Sequence, residues 1–251
     1  MSKLLAALLS ALAFAAGAAD VTVLSGGAVK SAFTAASAEW QRTSGHKVDA
    51  SFAAAGEIRE RLAKGEVPDL LVVPQENLAE YAKAELIDEG ARRDLGAVGI
   101  AVAVKAGAPK PDISTPEALK RTLEHAKSVT YMDPKRGTSG KHFDEAVLPA
   151  LGIRDEVRAK TIFGEGGYIA EKVARGEAEI VVHQQTEILP VKGVAIVGPL
   201  PGSLQKTTVY SGVVTKAAKH PREAQALLDY LVSAEGRKAF LERGFTVPGS
   251  P

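Results

Sequence analysis

The fold of this chain is decided by a stretch that begins with VTVLSGGA at residues 21–28. Val21 to Leu24 is β-branched and apolar and predicts a strand, and Ser25-Gly26-Gly27 predicts a turn. Apolar side chains then recur at helical spacing, which predicts a helix with one buried face formed by Val29, Ala32, Phe33, Ala36 and Trp40. The stretch therefore predicts a strand, a tight turn and a helix in immediate succession.

The same order of elements is repeated in the next fifty residues or so. Residues 47–52 predict a second strand, residues 53–56 a turn of small residues, and residues 57–64 a helix that Gly65 ends. Residues 70–73 are wholly apolar, as buried parallel strands tend to be, and a helix through Tyr81 follows Pro74. This βαβαβ order predicts a parallel sheet with helices on both faces.

The second half of the chain predicts another α/β unit. Its predicted strands are at 99–105, 129–132, 180–183 and 209–215, and its predicted helices at 116–127, 141–151, 168–175, 221–233 and 234–243. Two units of similar length predict a two-lobed α/β protein. Each lobe is expected to be a mixed, mostly parallel sheet flanked by helices, with a ligand cleft between the lobes. We assign residues 20–97 to the first part of lobe I, 98–206 to lobe II, and 207–251 to a strand and helices that return to lobe I.

The first nineteen residues predict a cleaved signal peptide. Lys3 precedes an apolar run from Leu4 to Ala16, and small residues follow, with cleavage expected after Ala18 or Ala19. The run of about 13 residues is shorter than the roughly 20 that a membrane-spanning helix needs. We therefore expect an exported, periplasmic protein.

Composition excludes several classes of function. The 31 basic and 30 acidic residues leave no overall positive field to hold nucleic acid or an anionic membrane. The chain has no cysteine, which excludes disulfides, thiolate metal sites and cysteine nucleophiles. Its 5 histidines show no metal-ligand spacing, so no metal and no cofactor is expected. A monomer is expected.

Five segments, in this order and spacing, resemble the periplasmic molybdate-binding proteins and their relatives among ABC-transporter solute receptors. They are VTVLSGGA at 21–28, SFAAAG at 51–56, GEVPDLLVV at 65–73, GEAEIVVH at 176–183 and SAEG at 233–236. The resemblance covers essentially the whole chain after the signal peptide. It implies the topology of a type II periplasmic binding protein, an anion bound between the lobes, and docking onto a membrane ABC permease.

The resemblance also bears on the ligand. Molybdate binders of this family typically use a serine in each of the first two turns and a tyrosine near the last strand of the second lobe. The matching positions here are Ala28, Gly56 and His183. Because these side chains differ, we slightly favour an organic carboxylate or a phosphate-bearing compound as the ligand over molybdate or tungstate.

The candidate ligand-binding residues lie in turns that precede helices, where backbone N–H groups can bind an anion. The first lobe contributes Ser25, Gly26, Gly27, Ala28, Ala55 and Gly56. In the second lobe Thr138 and Ser139 are predicted to cap a helix beside Gly140, and Arg136 to grip a carboxylate or phosphate. Tyr168, in a glycine-rich loop, and His183, at the end of a strand, complete the set.

The sequence offers no catalytic constellation. It contains no Gly-x-Ser-x-Gly segment and no cysteine, and we find no nucleophile with an evident base. The sequence therefore predicts a solute-binding protein and not an enzyme. An enzyme and a ligand-sensing domain on the same fold are the alternatives.

Overall fold

A computed structural model describes residues 18–248 of the chain. The predicted signal peptide therefore lies, apart from its last two residues, outside the described residues. The strands are β1 Asp20–Gly26, β2 Lys47–Ala53, β3 Leu70–Pro74, β4 Arg93–Lys105, β5 Val129–Tyr131, β6 Ile180–Gln184, β7 Val194–Pro199 and β8 Thr207–Val214. The helices are α1 Lys30–Ser44, α2 Ala55–Ala63, α3 Leu78–Lys83, α4 Pro116–His125, α5 Thr138–His142, α6 Leu148–Leu151, α7 Arg154–Ala159, α8 Glu171–Ala174, α9 Gln185–Ile188, α10 Pro221–Val232 and α11 Ala234–Leu241. A π-helical turn, Phe143–Val147, joins α5 to α6.

The first sheet has the parallel core that the βαβαβ pattern predicts. Strand β1 pairs in parallel with β2 on one side and β3 on the other. Strand β8 then adds antiparallel to β3, and the first part of β4 adds antiparallel to β8. The carboxyl ends of β1, β2 and β3 lie at one edge, where the turns into α1 and α2 and the 3-10 turn Gln75–Asn77 begin. Ligands of open α/β sheets bind at that edge.

Strand β4 takes part in two sheets. Its residues 93–99 pair with β8, and its residues 100–105 pair with β6 and β7, all antiparallel. Strand β5 completes the second sheet by pairing in parallel with β6. The change of partners between Gly99 and Ile100 supports the division into lobes, whose residue boundaries stay a prediction.

Each sheet has a hydrophobic core on both faces. On the first sheet one face is covered by α1, α10 and α11, with Phe33, Trp40 and Leu228 buried; the other face buries Ile58 and Tyr81. The second sheet has its own pair of cores: one contains Tyr131, Phe143 and Leu148, and the other contains Met132, Ile169 and Ile188. The five apolar residues predicted for the buried face of α1 are all buried. This is the mixed α/β architecture of a type II binding protein.

The structure differs from the predicted elements in six places. Strand β4 begins at Arg93, six residues earlier than predicted, because its first part pairs along β8 despite its charges and glycines. The predicted helix at 168–175 is reduced to α8, and the helix predicted at 141–151 begins already at Thr138. Strand β7 and the short helices α7 and α9 were missed; for the two helices the reason is that four to six residues are too few to show a helical period. Helix α9 matters for function because it carries Glu187.

No helix among residues 18–248 combines the length and the apolar character that crossing a bilayer requires.

Candidate functional site

A cavity of about 290 Å³ lies between the two sheets. The first lobe lines it at the carboxyl ends of its parallel strands, and the second lobe lines it from the start of α5, the 167–171 segment and the end of β6. The lining residues are Gly26, Gly27, Lys30, Phe52, Ala53, Ala54, Ala55, Pro74 and Tyr210 on one side, and Met132, Gly137, Thr138, Ser139, Gly167, Tyr168, Glu171, His183, Gln184 and Glu187 on the other.

The structure brings part of the predicted ligand-binding set together around this cavity. The predicted residues that line it are Gly26, Gly27, Ala55, Thr138, Ser139, Tyr168 and His183. Thr138 and Ser139 do not cap a helix as predicted, because the N-cap is Gly137 and both residues lie within the first turn of α5. The start of α5 still faces the cavity, as predicted.

Three other predicted residues are packed away from the cavity. Ser25 is wholly buried, and its hydroxyl lies 3.3 Å from the carbonyl oxygen of Gly26. Ala28 belongs to the core beneath α1. Gly140 lies directly against the carbonyl of Met132, so no larger residue fits there. Their place in the fold gives these residues a packing role.

Gly56 and Arg136 connect the two lobes outside the cavity. The backbone N–H of Gly56 donates to the carbonyl oxygen of Arg136 at 2.9 Å. The Arg136 guanidinium does not line the cavity; it lies 4.0 Å from Glu57, and both side chains are 43% exposed. A Cβ on Gly56 would come within 3.0 Å of the carbonyl oxygen of Lys135, so glycine allows this close approach of the lobes. The backbone of Arg136 thus links the lobes, while its guanidinium lies outside the cavity.

A buried polar array forms the second-lobe wall of the cavity. The Oγ of Ser139 and Nδ1 of His183 are 3.0 Å apart, and Nε2 of His183 lies 3.2 Å from Oε2 of Glu187. The three residues are 4%, 2% and 6% exposed. Nε2 lies close to Glu187 but outside hydrogen-bond geometry. The array joins α5, β6 and α9.

Glu187 also contacts the first lobe. A Cβ placed on Gly27 would lie only 2.7 Å from Oε1 of Glu187. The carboxylate therefore reaches across to the turn between β1 and α1, and a glycine there leaves room for it. Glu187 therefore lines the cavity at a point where the two lobes meet.

Lys30 supplies the positive charge of the cavity. Its Nζ lies 5.5 Å from the ring centre of Tyr168 and 6.0 Å from that of Phe52, within the range of cation–π attraction. Burial, and next the charge of Glu187, raise the pKa of Tyr168, so its phenol stays protonated. Among the described residues, no other Lys or Arg lines the cavity.

Tyr210 and Gln184 form a second buried pair at the cavity. The Tyr210 hydroxyl donates to Oε1 of Gln184 at 2.9 Å, and both residues are buried. Burial, followed by the charge of Glu187, raises the pKa of Tyr210 strongly, which keeps this donor protonated.

Sequence reasoning missed Lys30, Gln184, Glu187 and Tyr210. A signal existed for Glu187, which stands four residues after His183 at the end of a buried strand. No signal in the sequence joins Tyr210 to Gln184. No group of three or more His, Asp or Glu side chains within residues 18–248 is arranged to hold a metal ion.

The fold and cleft define a two-lobed solute-binding protein of type II. The chain belongs to the family of bacterial extracellular solute-binding proteins, which it matches over residues 21–246. Membership of this family makes a small ligand and an ABC permease the partners of the protein, and it agrees with a location outside the cytoplasm.

Three known proteins show how close the likeness is. The chain is 37% identical over 195 residues to an aconitate isomerase of Pseudomonas sp, covering 77% of this chain and 73% of the relative. It is 26% identical over 198 residues to a Bacillus subtilis protein whose name carries the words "ABC transporter substrate-binding lipoprotein", covering 76% and 72%. Its fold matches the periplasmic molybdate-binding protein of Azotobacter vinelandii with a TM-score of 0.74 at 16% identity, over 91% of this chain and 99% of the other.

The likeness to an aconitate isomerase corrects one expectation. The sequence predicted a binding protein without catalysis, and a relative of 37% identity that is named as an isomerase contradicts this. The sequence contains no Gly-x-Ser-x-Gly segment and no cysteine, so it gave no sign of catalysis. Ser139 meets His183 and Glu187 only in the folded protein.

Proposed function

We propose that the protein binds an unsaturated tricarboxylic acid of the aconitate type in this cleft and interconverts its cis and trans isomers. The likeness to aconitate isomerase supports the substrate class. The observation that carries the proposal is the buried carboxylate of Glu187, held beside His183 in a cavity whose other wall presents Lys30 and the start of α1.

A cleft built only to bind an anion gains nothing from Glu187. Two like charges about 4 Å apart repel by roughly 4 kcal/mol at an effective dielectric constant of 20. A carboxylate that lines the cavity therefore weakens anion binding. Lys30 alone offsets one such charge. A base that removes a proton from the ligand explains why the carboxylate is present.

The reaction needs only the movement of one proton and one double bond. Aconitate carries a methylene group next to its C=C bond. A base removes a methylene proton, the electron pair of that C–H bond forms a new C=C bond, and the former vinyl carbon takes up a proton. The two arms exchange roles, and the geometry of the new double bond depends on the conformation in which the cleft holds the intermediate. No oxidant, reductant or cofactor is consumed.

The residues of the cleft suit these steps. Glu187 takes up the proton, and His183, which contacts Ser139 through Nδ1, faces the carboxylate with Nε2 and positions it. The intermediate spreads its extra negative charge onto the adjacent carboxylate of the ligand. Lys30 and the backbone N–H groups at the start of the 3-10 turn Gly27–Val29 and of α2 then stabilise that charge.

Deuterium incorporation tests the proposal directly. Purified protein is incubated with cis-aconitate in D₂O, and the products are followed by proton NMR. We expect trans-aconitate to appear with deuterium at the carbons that gain or exchange a proton. Conversion without deuterium in the product at partial turnover would have one of two meanings. Either the double bond rotates without loss of a proton, or the base returns the same proton to the ligand before it exchanges with solvent. Absence of conversion would refute the isomerase proposal.

We further infer that the protein acts in the periplasm after removal of residues 1–19, with lobe I at 20–97 and 207–251 and lobe II at 98–206. Family membership and the sharing of β4 between two sheets support this. Amino-terminal sequencing of exported protein tests the cleavage site, which we expect after Ala18 or Ala19.

A further inference from the structure

We propose that Gln184, oriented by Tyr210, is a carboxylate-binding residue that determines the class of ligand the cleft accepts. The inference rests on the proposed function in that it names how the same cleft recognises an acid. It concerns recognition and not proton transfer, so it is tested by binding.

The two ends of the Gln184 side-chain amide differ in their hydrogen bonding. Oε1 of Gln184 accepts a hydrogen bond from the Tyr210 hydroxyl at 2.9 Å. Nε2 of the same amide is buried and has no protein partner among residues 18–248. Gln184 is 2% exposed and lines the cavity. Because a buried N–H donor without an acceptor is unfavourable, an amide in this position is suited to an acceptor supplied by a ligand.

Tyr210 decides which end of the amide is free. Its hydroxyl belongs to a fully buried phenol whose pKa is raised, so it remains a donor at all ordinary pH values. A donor at Oε1 favours the orientation in which the two N–H groups of Gln184 are left for the cavity. Reversing the amide would place its oxygen there and repel an anion.

The pair lies at the base of the cleft. Gln184 stands opposite Ile100 on β4, and Tyr210 stands opposite Gly96 on the same strand. Strand β4 runs through both sheets, so Tyr210 from the first sheet and Gln184 from the second meet where the lobes join. A ligand carboxylate that reaches this part of the cavity is bound between the Gln184 amide and the ammonium group of Lys30.

This arrangement favours acids over bases and alcohols. A carboxylate is acceptor-only and takes up an amide N–H and an ammonium group together. An organic cation offers no acceptor to Nε2 and is repelled by Lys30. The subsite therefore selects a carboxylate even where the ligand cannot undergo isomerisation.

Tricarballylate, the saturated analogue of aconitate, separates binding from chemistry because it has no double bond to move. Its affinity is measured by calorimetry for the full chain and for Gln184→Met, Gln184→Glu and Tyr210→Phe, with Gln225→Met on α10 as the matched surface control. Loss of a hydrogen bond to a charged group weakens binding by about tenfold or more, so we expect that for Gln184→Met. Gln184→Glu adds repulsion and is expected to bind more weakly still, while Gln225→Met binds as the parent does.

Tyr210→Phe keeps the ring and removes only the donor to Oε1, so it is expected to weaken binding by a smaller factor than Gln184→Met. Thermal melting identifies any variant that fails to fold, and Tyr210→Phe and Gln184→Met then provide independent tests. Equal affinity of the parent, Gln184→Met and Gln184→Glu would overturn the subsite. Failure of the parent to convert aconitate while it binds tricarballylate would overturn only the isomerase proposal. A parent that binds no tricarballylate overturns the subsite, and one that in addition converts no aconitate overturns both proposals.

Discussion

Nε2 of His183 lies 3.2 Å from Oε2 of Glu187, and both side chains are buried in the wall of the cleft. The proposed proton transfer rests on this buried carboxylate beside an imidazole, in a cleft that also presents Lys30. Four predictions follow from this site and from the structure that supports it.

Glu187→Gln is expected to separate catalysis from binding. Removing the base should lower kcat for aconitate isomerisation by roughly 10²–10⁴-fold, the usual contribution of a positioned general base. Tricarballylate should bind as tightly as before or more tightly, because a negative charge leaves the cleft. Isomer separation by chromatography gives kcat, and calorimetry gives affinity. Glu177→Gln, which changes an exposed glutamate paired with Arg175, is the control; an unchanged kcat in Glu187→Gln would exclude Glu187 as the base.

Gly27→Ala is expected to disturb the same carboxylate from the opposite lobe. The new Cβ would lie 2.7 Å from Oε1 of Glu187, so either the carboxylate or the backbone at Gly27 must shift. Displacement of a catalytic group by about 1 Å costs roughly 10²-fold in rate, and we expect kcat/KM to fall by about that factor. Gly198→Ala is the control, since its Cβ would have only an ordinary contact at 3.7 Å. Equal kcat/KM values for the two variants would show that Gly27 does not position Glu187.

Lys30→Met and Arg136→Met form a matched pair that distinguishes the cation of the cavity from the cation outside it. Lys30 lines the cavity, and its loss should weaken tricarballylate binding by about tenfold or more. Arg136 lies 4.0 Å from Glu57 outside the cavity, so its loss should change affinity by less than about threefold. Calorimetry at two salt concentrations measures both. The reverse order of effects would restore the sequence-based assignment of Arg136 as the ligand-gripping residue.

Asp144 is expected to stabilise the second lobe in a pH-dependent way. Its carboxylate is wholly buried and accepts hydrogen bonds from Arg154 at 2.6 Å, Arg158 at 2.6 Å and Tyr131 at 2.9 Å. Burial alone would raise the pKa of Asp144, but these donors outweigh it and lower the pKa below its usual value. Asp144→Asn should lower the free energy of unfolding by about 2 kcal/mol at pH 7, measured by urea denaturation.

The sign of the pH dependence follows from that lowered pKa. A carboxylate whose pKa is lower in the folded state contributes its stability above its unfolded pKa of about 3.9, and loses it as the pH falls through the folded pKa. The difference between the parent and Asp144→Asn should therefore be constant near neutrality and shrink at pH values below about 4. A difference that grows on acidification would contradict the assignment.

Part of the site was accessible from the sequence because helix starts are local features. The small residues at 26–27 and 55 and the hydroxyls of Thr138 and Ser139 stand next to predicted helices, and all of them line the cavity. Arg136 illustrates the limit of this reasoning. Its neighbour Gly137 lines the cavity, but the Arg136 guanidinium lies near Glu57, and no sequence pattern reveals that direction.

The order of strands and helices in the first lobe was determined by the sequence itself, because the alternation of apolar runs, glycine-rich turns and helical periods is a property of neighbouring residues. The pairing of β4 with two sheets, the reach of Glu187 to Gly27, and the contacts of Ser139 with His183 and of Tyr210 with Gln184 were decided only by the tertiary structure. Ser139 and His183 are 44 residues apart in the sequence, and Gln184 and Tyr210 are 26 residues apart. Local propensity carries no information about such pairs, since they form only when the packing of two cores sets the distance between the lobes.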